Sequence, residues 1–195
     1  MKTYFKIFLA LLGFSALVSE ATFILKVDES KINWKGYKVT GSHDGLVSFK
    51  GGRLVFDEAG NIKEGVFEAN LETIKVLDLK DPSQNAKLTN HLKDDDFFGV
   101  SKFPIAKLIV KSGQKLAEGE YKIQGDMEIK GITQPVEFVA KINKEDRILK
   151  GKANLKLDRT KWDIKYNSGK FFKNLGDKLI YDDFEVEVEV VAEKA

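Results

Sequence analysis

The chain has 195 residues, with 32 Lys and Arg against 30 Asp and Glu, so its net charge is only +2. That balance, with no basic cluster interleaved with aromatics, excludes the electrostatic footprint of a nucleic-acid binder. The absence of Cys removes disulfide stapling, thiol catalysis and cysteine metal sites, so an apolar core and a hydrogen-bonded sheet must carry stability.

Lys2 and Lys6 precede an apolar run from Ile7 to Val18, followed by Ser19-Glu20-Ala21. A basic start, a short apolar core and small residues at the end predict a secretory leader cleaved after Ala21. The run falls short of the roughly 20 residues a membrane-spanning helix needs. The expectation is a leader over 1–21, one domain over 22–195, and a periplasmic or secreted protein.

Past the leader, Ile32 and Trp34 alternate with Lys31, Asn33 and Lys35 as a first strand. Leu46 to Phe49 reads as the next strand, Gly51-Gly52 as a tight turn, and Arg53 to Phe56 as a third strand. Glu58 to Asn61 is another turn, and from Gly65 to Val76 a long strand places Phe67, Ala69 and Leu71 on one face. At Asp81 the pattern changes. Asp81-Pro82-Ser83-Gln84 supplies an N-cap acid, Pro at the first helical position and a capping-box Gln, which predicts a helix over Pro82 to Lys93. Asp94 to Asp96 ends it, and Phe97-Phe98-Gly99 follows as an apolar plug.

Strands then resume through Ala106, Leu108 and Val110. Tyr121, Ile123, Gly125, Met127 and Ile129 alternate strictly with charged or polar residues, and Val136, Phe138, Ala140 and Ile142 continue beyond Gly131 and Pro135. That is an antiparallel pair with one buried face. Gly151, Ala153, Leu155 and Leu157 form the next apolar face. A long connection from Arg159 to Leu179 holds Trp162, Tyr166, Phe171 and Phe172, and Phe184, Val186, Val188 and Val190 close the chain. Strands separated by turn-sized gaps, without alternating helices, exclude a parallel α/β sheet and leave a sandwich or an up-and-down barrel.

The inward positions favour a barrel with a hole in it. Ala69, Ala106, Gly125, Ala140, Gly151 and Ala153 all lie in phase with the apolar residues of their strands. A barrel of about eight strands is the size at which side chains either fill the lumen or leave room for one small ligand. So many small inward residues point to unfilled volume. A dry lumen selects an apolar ligand, since each buried CH₂ yields roughly 0.8 kcal/mol.

At this point the motifs form a set. Trp34 with Gly36, Gly41-Ser42-His43-Asp44-Gly45, His91-Leu92-Lys93, Asp96-Phe97-Phe98, Phe103-Pro104, Gly125 through Thr133 with Pro135-Val136, and Asp158-Arg159-Thr160 resemble the YceI-like family in order and spacing. The resemblance covers about Lys26 to Val190 and departs mildly at Met127, where Leu is expected, and at Trp162, where a smaller residue is common. It implies an exported bacterial protein with an extended, antiparallel, lipocalin-like eight-stranded β-barrel, one short helix and an internal apolar cavity. It further implies a polyisoprenoid or similar long-chain lipid held along the barrel axis.

The expected cavity lining is Trp34, Phe49, Phe67, Ala69, Leu71, Phe97, Phe98, Leu108, Ile123, Gly125, Met127, Phe138, Ala153, Leu155, Trp162, Phe184 and Val186. His43 is a head-group candidate at the barrel mouth, or else a histidine that satisfies a turn. Arg159 is the other head-group candidate, since its guanidinium fork suits a diphosphate, or else it pairs with a buried Asp. Phe171 and Phe172 read as a lid over the cavity or as ordinary loop plugging. His43 and His91 are the two His of the chain and have no zinc-ligand spacing, so no metal is expected. No nucleophile elbow, phosphate loop or paired carboxylate marks an enzyme, and no catalytic residue is assigned. The expected partner is an apolar lipid, with no required cofactor, transient contact with a membrane surface, and a monomer or homodimer. The alternatives are an envelope interaction module with a filled barrel and, third, a lipid-modifying enzyme.

Overall fold

The computed structural model describes residues 20–195; the leader expected over 1–21 lies, but for its last two residues, outside them. Nine strands and one α-helix follow in order: β1 (Ala21–Leu25), β2 (Lys31–Lys38), β3 (Gly41–Phe56), β4 (Ile62–Val76), α1 (Pro82–Lys93), β5 (Ile105–Ala117), β6 (Glu120–Ile129), β7 (Ile132–Glu145), β8 (Ile148–Asp158) and β9 (Ile180–Lys194). The sheet runs β1-β3-β2-β9-β8-β7-β6-β5-β4 and closes through β3–β4 and β1–β9 pairings. β1 and β2 lie end to end between β3 and β9, parted by a 3-10 turn at Val27–Glu29, so nine strands fill the eight positions of an antiparallel barrel. β1 escapes the alternation argument because its few residues adjoin the apolar leader.

The β6–β7 hairpin follows its sequence closely. Ile129 pairs with Ile132 across Lys130-Gly131, both at positive φ (53° and 72°), the backbone a two-residue hairpin turn requires. Outward charges pair across neighbouring strands, as in Lys122–Glu137 at 2.9 Å, Lys107–Glu68 at 3.0 Å and Lys156–Asp183 at 3.1 Å. Such exposed pairs add little stability, but they keep the outer wall polar and its charge balanced.

Gly51-Gly52 makes no turn. β3 runs through it, and its pairing with β4 shifts register between Phe49 and Gly51. The glycines act as a bulge that bends the strand around the barrel. A Cβ on Gly52 would sit 2.6 Å from the Phe67 ring, so the bare backbone makes room for that side chain.

The two ends differ. At one, Phe56 meets Phe23 and Tyr121 edge-on at 5.8 and 5.9 Å, within a packed cluster that also buries Ile62 and Leu149. At the other, α1 covers β4. Gln84 N–H donates to Asp81 Oδ1 at 2.9 Å as the predicted cap, and Asn85 Nδ2 donates to the Val76 and Leu79 carbonyls. His91 stacks edge-on against Phe97 and Tyr166, tying the helix to two loops.

One ladder is only half formed. β7 and β8 pair from Ala140↔Ala153 to Glu145↔Ile148, leaving Ile132–Val139 unmatched by the end of β8. Pro135, which has no N–H to donate, lies in that unmatched stretch. The 3-10 turn Arg159–Trp162 closes the wedge. Gln134 Nε2 donates to the Lys161 carbonyl at 3.0 Å, and the Trp162 indole donates to the Met127 carbonyl at 3.1 Å.

Gly125 also needs a different explanation from the one its phase suggests. A Cβ there would lie 2.4 Å from the Ile109 carbonyl oxygen, beside a register shift between Val110 and Ser112. The glycine permits a close backbone approach and adds no lumen space. Gly125→Leu should therefore lower the unfolding free energy by at least the ~1–3 kcal/mol of an overpacked core, read as a lower urea midpoint at unchanged slope.

Candidate ligand cavity

A cavity of about 260 Å³ occupies the barrel, roughly twenty times the space one water needs on the same measure. Its lining on β9 runs from Ile180 to Val190, about 33 Å of strand, or about 25 Å along the axis at a ~40° tilt. The hollow is also legible in burial. Phe67, Met127, Phe138, Ala153, Phe184, Val186, Val188 and Val190 line this space and are only half-buried. In a solid core they would be sealed.

Each barrel position contributes to the wall. β2 gives Trp34, β3 Phe49, β4 Phe67, Ala69 and Leu71, β5 Leu108, β6 Ile123 and Met127, and β7 Phe138. β8 gives Ala153 and Leu155, β9 Phe184 and Val186, and the segment after α1 adds Phe97 and Phe98. The structure brings all of these expected residues together, and of the small inward residues Ala106, Ala140 and Gly151 join them.

Others were not read from alternation. Ile74 lies in the wall because Asn70–Thr73 bulges, with Thr73 Oγ1 donating to the Asn70 carbonyl at 2.6 Å, and this reverses the phase past Leu71. Leu92 and Ile164 come from outside the strands, where no period of two applies. Ile32, Val188 and Val190, by contrast, lay in phase with their strands and were open to inclusion.

Gly125 and Trp162 are not part of the wall, a correction to both. Trp162 is 1% exposed and plugs the β7–β8 wedge instead. His43 is likewise absent from the wall. Its Nδ1 lies 2.8 Å from Asp78 Oδ2, while Asp44 N–H donates to Asp78 Oδ1 at 3.1 Å. That pair ties the start of β3 to the segment after β4. Burial pushes the Asp78 carboxyl up, but the hydrogen bonds from His43 and Asp44 outweigh it and leave it below its ordinary range. Phe171 and Phe172 are each 49% exposed and lie outside the wall, so neither lines the cavity.

Arg159 does reach the wall and is 5% exposed, but its guanidinium is occupied. It donates to the carbonyls of Tyr181, Ile164 and Ile180 at 3.1, 2.9 and 3.0 Å, with Asp182 Oδ1 3.7 Å away. Burial holds its pKa below the ordinary value, with Asp182 and Asp158 pulling the other way. This is the structural role of the two considered: it stitches the loop after β8 to the start of β9. Among the described residues no group of three or more His, Cys, Asp or Glu could hold a metal ion, and no helix is long and apolar enough to cross a membrane.

A closed antiparallel barrel around an apolar lumen defines a lipocalin-like architecture. The sequence profile of the YceI-like domain matches residues 23–192, and the chain belongs to that family. A UPF0312 protein of Photorhabdus laumondii is 31% identical over 144 residues, 73% of this chain and 70% of that protein. Another, from Shewanella denitrificans, is 35% identical over 89 residues, an alignment that spans 46% of this chain and 44% of that protein. Among solved structures, Burkholderia cenocepacia BcnA superposes with a TM-score of 0.69 at 15% identity, over 86% of this chain and 98% of its own. A polyisoprenoid binding domain from Saccharophagus degradans gives 0.64 at 10% identity, over 91% and 99%. At these identities the two structures speak to the fold.

Asp158 provides a pH test of the cavity's loop-bearing end. Burial raises its carboxyl, but Lys170 at 2.7 Å and the hydroxyl and N–H of Thr160 together bring it below the ordinary value. A carboxyl depressed on folding contributes stability above its unfolded pKa of ~3.9 and loses it as pH falls through the folded value. Asp158→Asn should therefore be less stable than wild type at pH 7 by about 1 kcal/mol and melt at a lower temperature. Thermal melts from pH 7 to 2 should show that gap narrowing below about pH 4.

Proposed function

We propose that the protein binds a long-chain apolar lipid, isoprenoid in class, along the barrel axis, and sequesters or carries it outside the cytoplasm. The observation that carries this reading is the half-buried state of inward residues such as Phe138, Val186 and Val188 around a space of about 260 Å³. A wall of Phe, Leu, Ile, Val and Ala gives affinity by removing hydrocarbon from water, at roughly 0.8 kcal/mol per CH₂. The YceI-like membership and the likeness to a polyisoprenoid binding domain of Saccharophagus degradans agree with a polyisoprenoid as occupant. The leader-like residues 1–21 favour an exported protein, and brief contact with a membrane surface would supply the lipid. Binding is the function for which the wall is built. Its side chains are almost all hydrocarbon, and the Arg that reaches it is held by backbone carbonyls.

The test is extraction of the purified protein into organic solvent followed by mass spectrometry, with uptake of added polyprenyl compounds as the second arm. A lipid that copurifies, or saturable uptake, is expected; neither would reduce the barrel to an interaction module. Ala153→Leu adds bulk to the middle of the wall without touching the end loops. It should reduce lipid capacity while the circular dichroism spectrum and cooperative melting persist, and unchanged capacity would place the ligand elsewhere.

A further inference from the structure

Large apolar side chains left in water are unevenly spread over this barrel. Of the nine that are exposed among the described residues, Val39, Leu77, Phe171, Phe172 and Tyr181 lie at the loop-bearing end, and all three aromatics of the nine are there. Phe171 and Phe172 form the tip of the 159–179 connection. Their N–H groups both donate to the Ser168 carbonyl, at 3.1 and 3.0 Å, and Ser168 is fully buried. The turn is anchored from below and holds both rings outward, with residues 169–174 all exposed. Single exposed apolar residues are ordinary, but a fixed, adjacent pair marks an interaction surface.

The charge around the pair constrains the partner. The 159–179 connection carries six cations and two acids, an excess of four in a chain whose whole excess is two. Lys165 lies over the Phe171 ring at 5.1 Å and pairs with Asp163, while Lys170 holds Asp158 at 2.7 Å and Asp182 at 3.5 Å. Lys161, Lys173 and Lys178 have no acidic partner among the described residues. Aromatic rings flanked by lysines suit the interface of an anionic bilayer, where rings settle at headgroup depth and ammonium groups meet phosphate. Two rings and three free lysines fall well short of the roughly 800 Å² per partner that a stable protein interface covers. A bilayer engages by insertion and needs no such area.

The position agrees with that partner. Tyr181 lines the cavity and is 51% exposed, so the lumen reaches the surface beside this tip. The Ile180 N–H donates to the Asn167 carbonyl at 3.0 Å, which ties the connection to that opening. The opposite end is filled by Phe23, Phe56 and Tyr121.

We propose that the 170–173 tip is a docking surface for the anionic face of a phospholipid bilayer, and that it turns the open end of the cavity toward the membrane. Its purpose rests on the lipid-binding reading above, but docking is measured without any cavity ligand. The test is sedimentation of the full chain with vesicles of phosphatidylglycerol and phosphatidylethanolamine, against vesicles of phosphatidylcholine. Wild type, Phe171→Ala/Phe172→Ala and Lys173→Gln share residues 1–21, so any binding through that stretch is common to all three. Wild type should prefer the anionic vesicles. Loss of the Phe pair should weaken that binding roughly tenfold or more. Lys173→Gln should weaken it roughly fivefold, a gap that closes in about 0.5 M salt.

No preference for anionic vesicles overturns the proposal, and so does a Phe variant that sediments like wild type. A Phe variant altered only in oligomeric state makes the pair a contact between copies and overturns it as well. Phe172→Trp reads the location directly. The emission it adds to that of Trp34 and Trp162 should shift to the blue and be quenched by brominated lipid in anionic vesicles. Bound protein with that emission unquenched docks through another face, which again overturns the proposal. Both loss variants should take up polyprenol added from solvent as wild type does. Wild type that takes up none removes the lipid-binding reading while the vesicle result stands, so the two failures are distinct.

Discussion

Closure of the hydrogen-bonded circuit is the constraint on which the rest of this molecule depends. A sheet of eight positions must return β4 to β3, and its circumference is then set by strand number and register. Interior width is therefore imposed by backbone geometry, and side chains must accept it. Where they are large, as at Phe23, Phe56 and Tyr121, the lumen is filled and that end is sealed. Where they are small, at Ala69, Ala106, Ala140 and Ala153, the wall cannot collapse inward, because the ladders hold it apart. A helical bundle with the same composition would draw its helices together and lose the space. A hollow apolar interior persists here because hydrogen bonds, more than core packing, determine the shape.

The same constraint explains where the polar chemistry went. Strands that curve this much need bulges, and strands that end at different heights leave carbonyls that need donors. Arg159 spends its guanidinium on three such carbonyls, Lys130 reaches the Asp95 carbonyl at 2.6 Å, and Lys93 reaches that of Glu72 at 2.8 Å. His43 with Asp78 and Asp158 with Lys170 perform comparable work in loops. Residues that look in sequence like readers of a charged head group are mostly fasteners of the barrel rim.

Local physics was legible in the sequence, and long-range closure was not. The helix at Pro82–Lys93 is spelled out by its own capping residues, and the β6–β7 hairpin by strict alternation around Lys130-Gly131. Most of the wall follows from phase alone. Glycines were harder, because one residue type serves opposite ends. Gly51-Gly52 reads as a turn but bends a continuous strand, and Gly125 reads as empty space but sits against the Ile109 carbonyl. Ile74 was hidden by a bulge that reverses phase, and Trp162 by a wedge that exists only because two strands part. Each miss depends on a partner strand, and no single stretch of sequence names its partner.

The half-formed ladder between β7 and β8 has a mechanical meaning. A barrel resists widening as a hoop does, and a hoop yields where its binding is thinnest. Here that place is Ile132–Val139, where the end of β8 offers no ladder and Pro135 has no N–H to contribute. Val136 and Phe138 lie along the same stretch, and Phe138 also faces the lumen. The girth of the cavity is therefore least fixed on one flank. A bulkier occupant would be accommodated by displacing that flank while the rest of the circuit keeps its register.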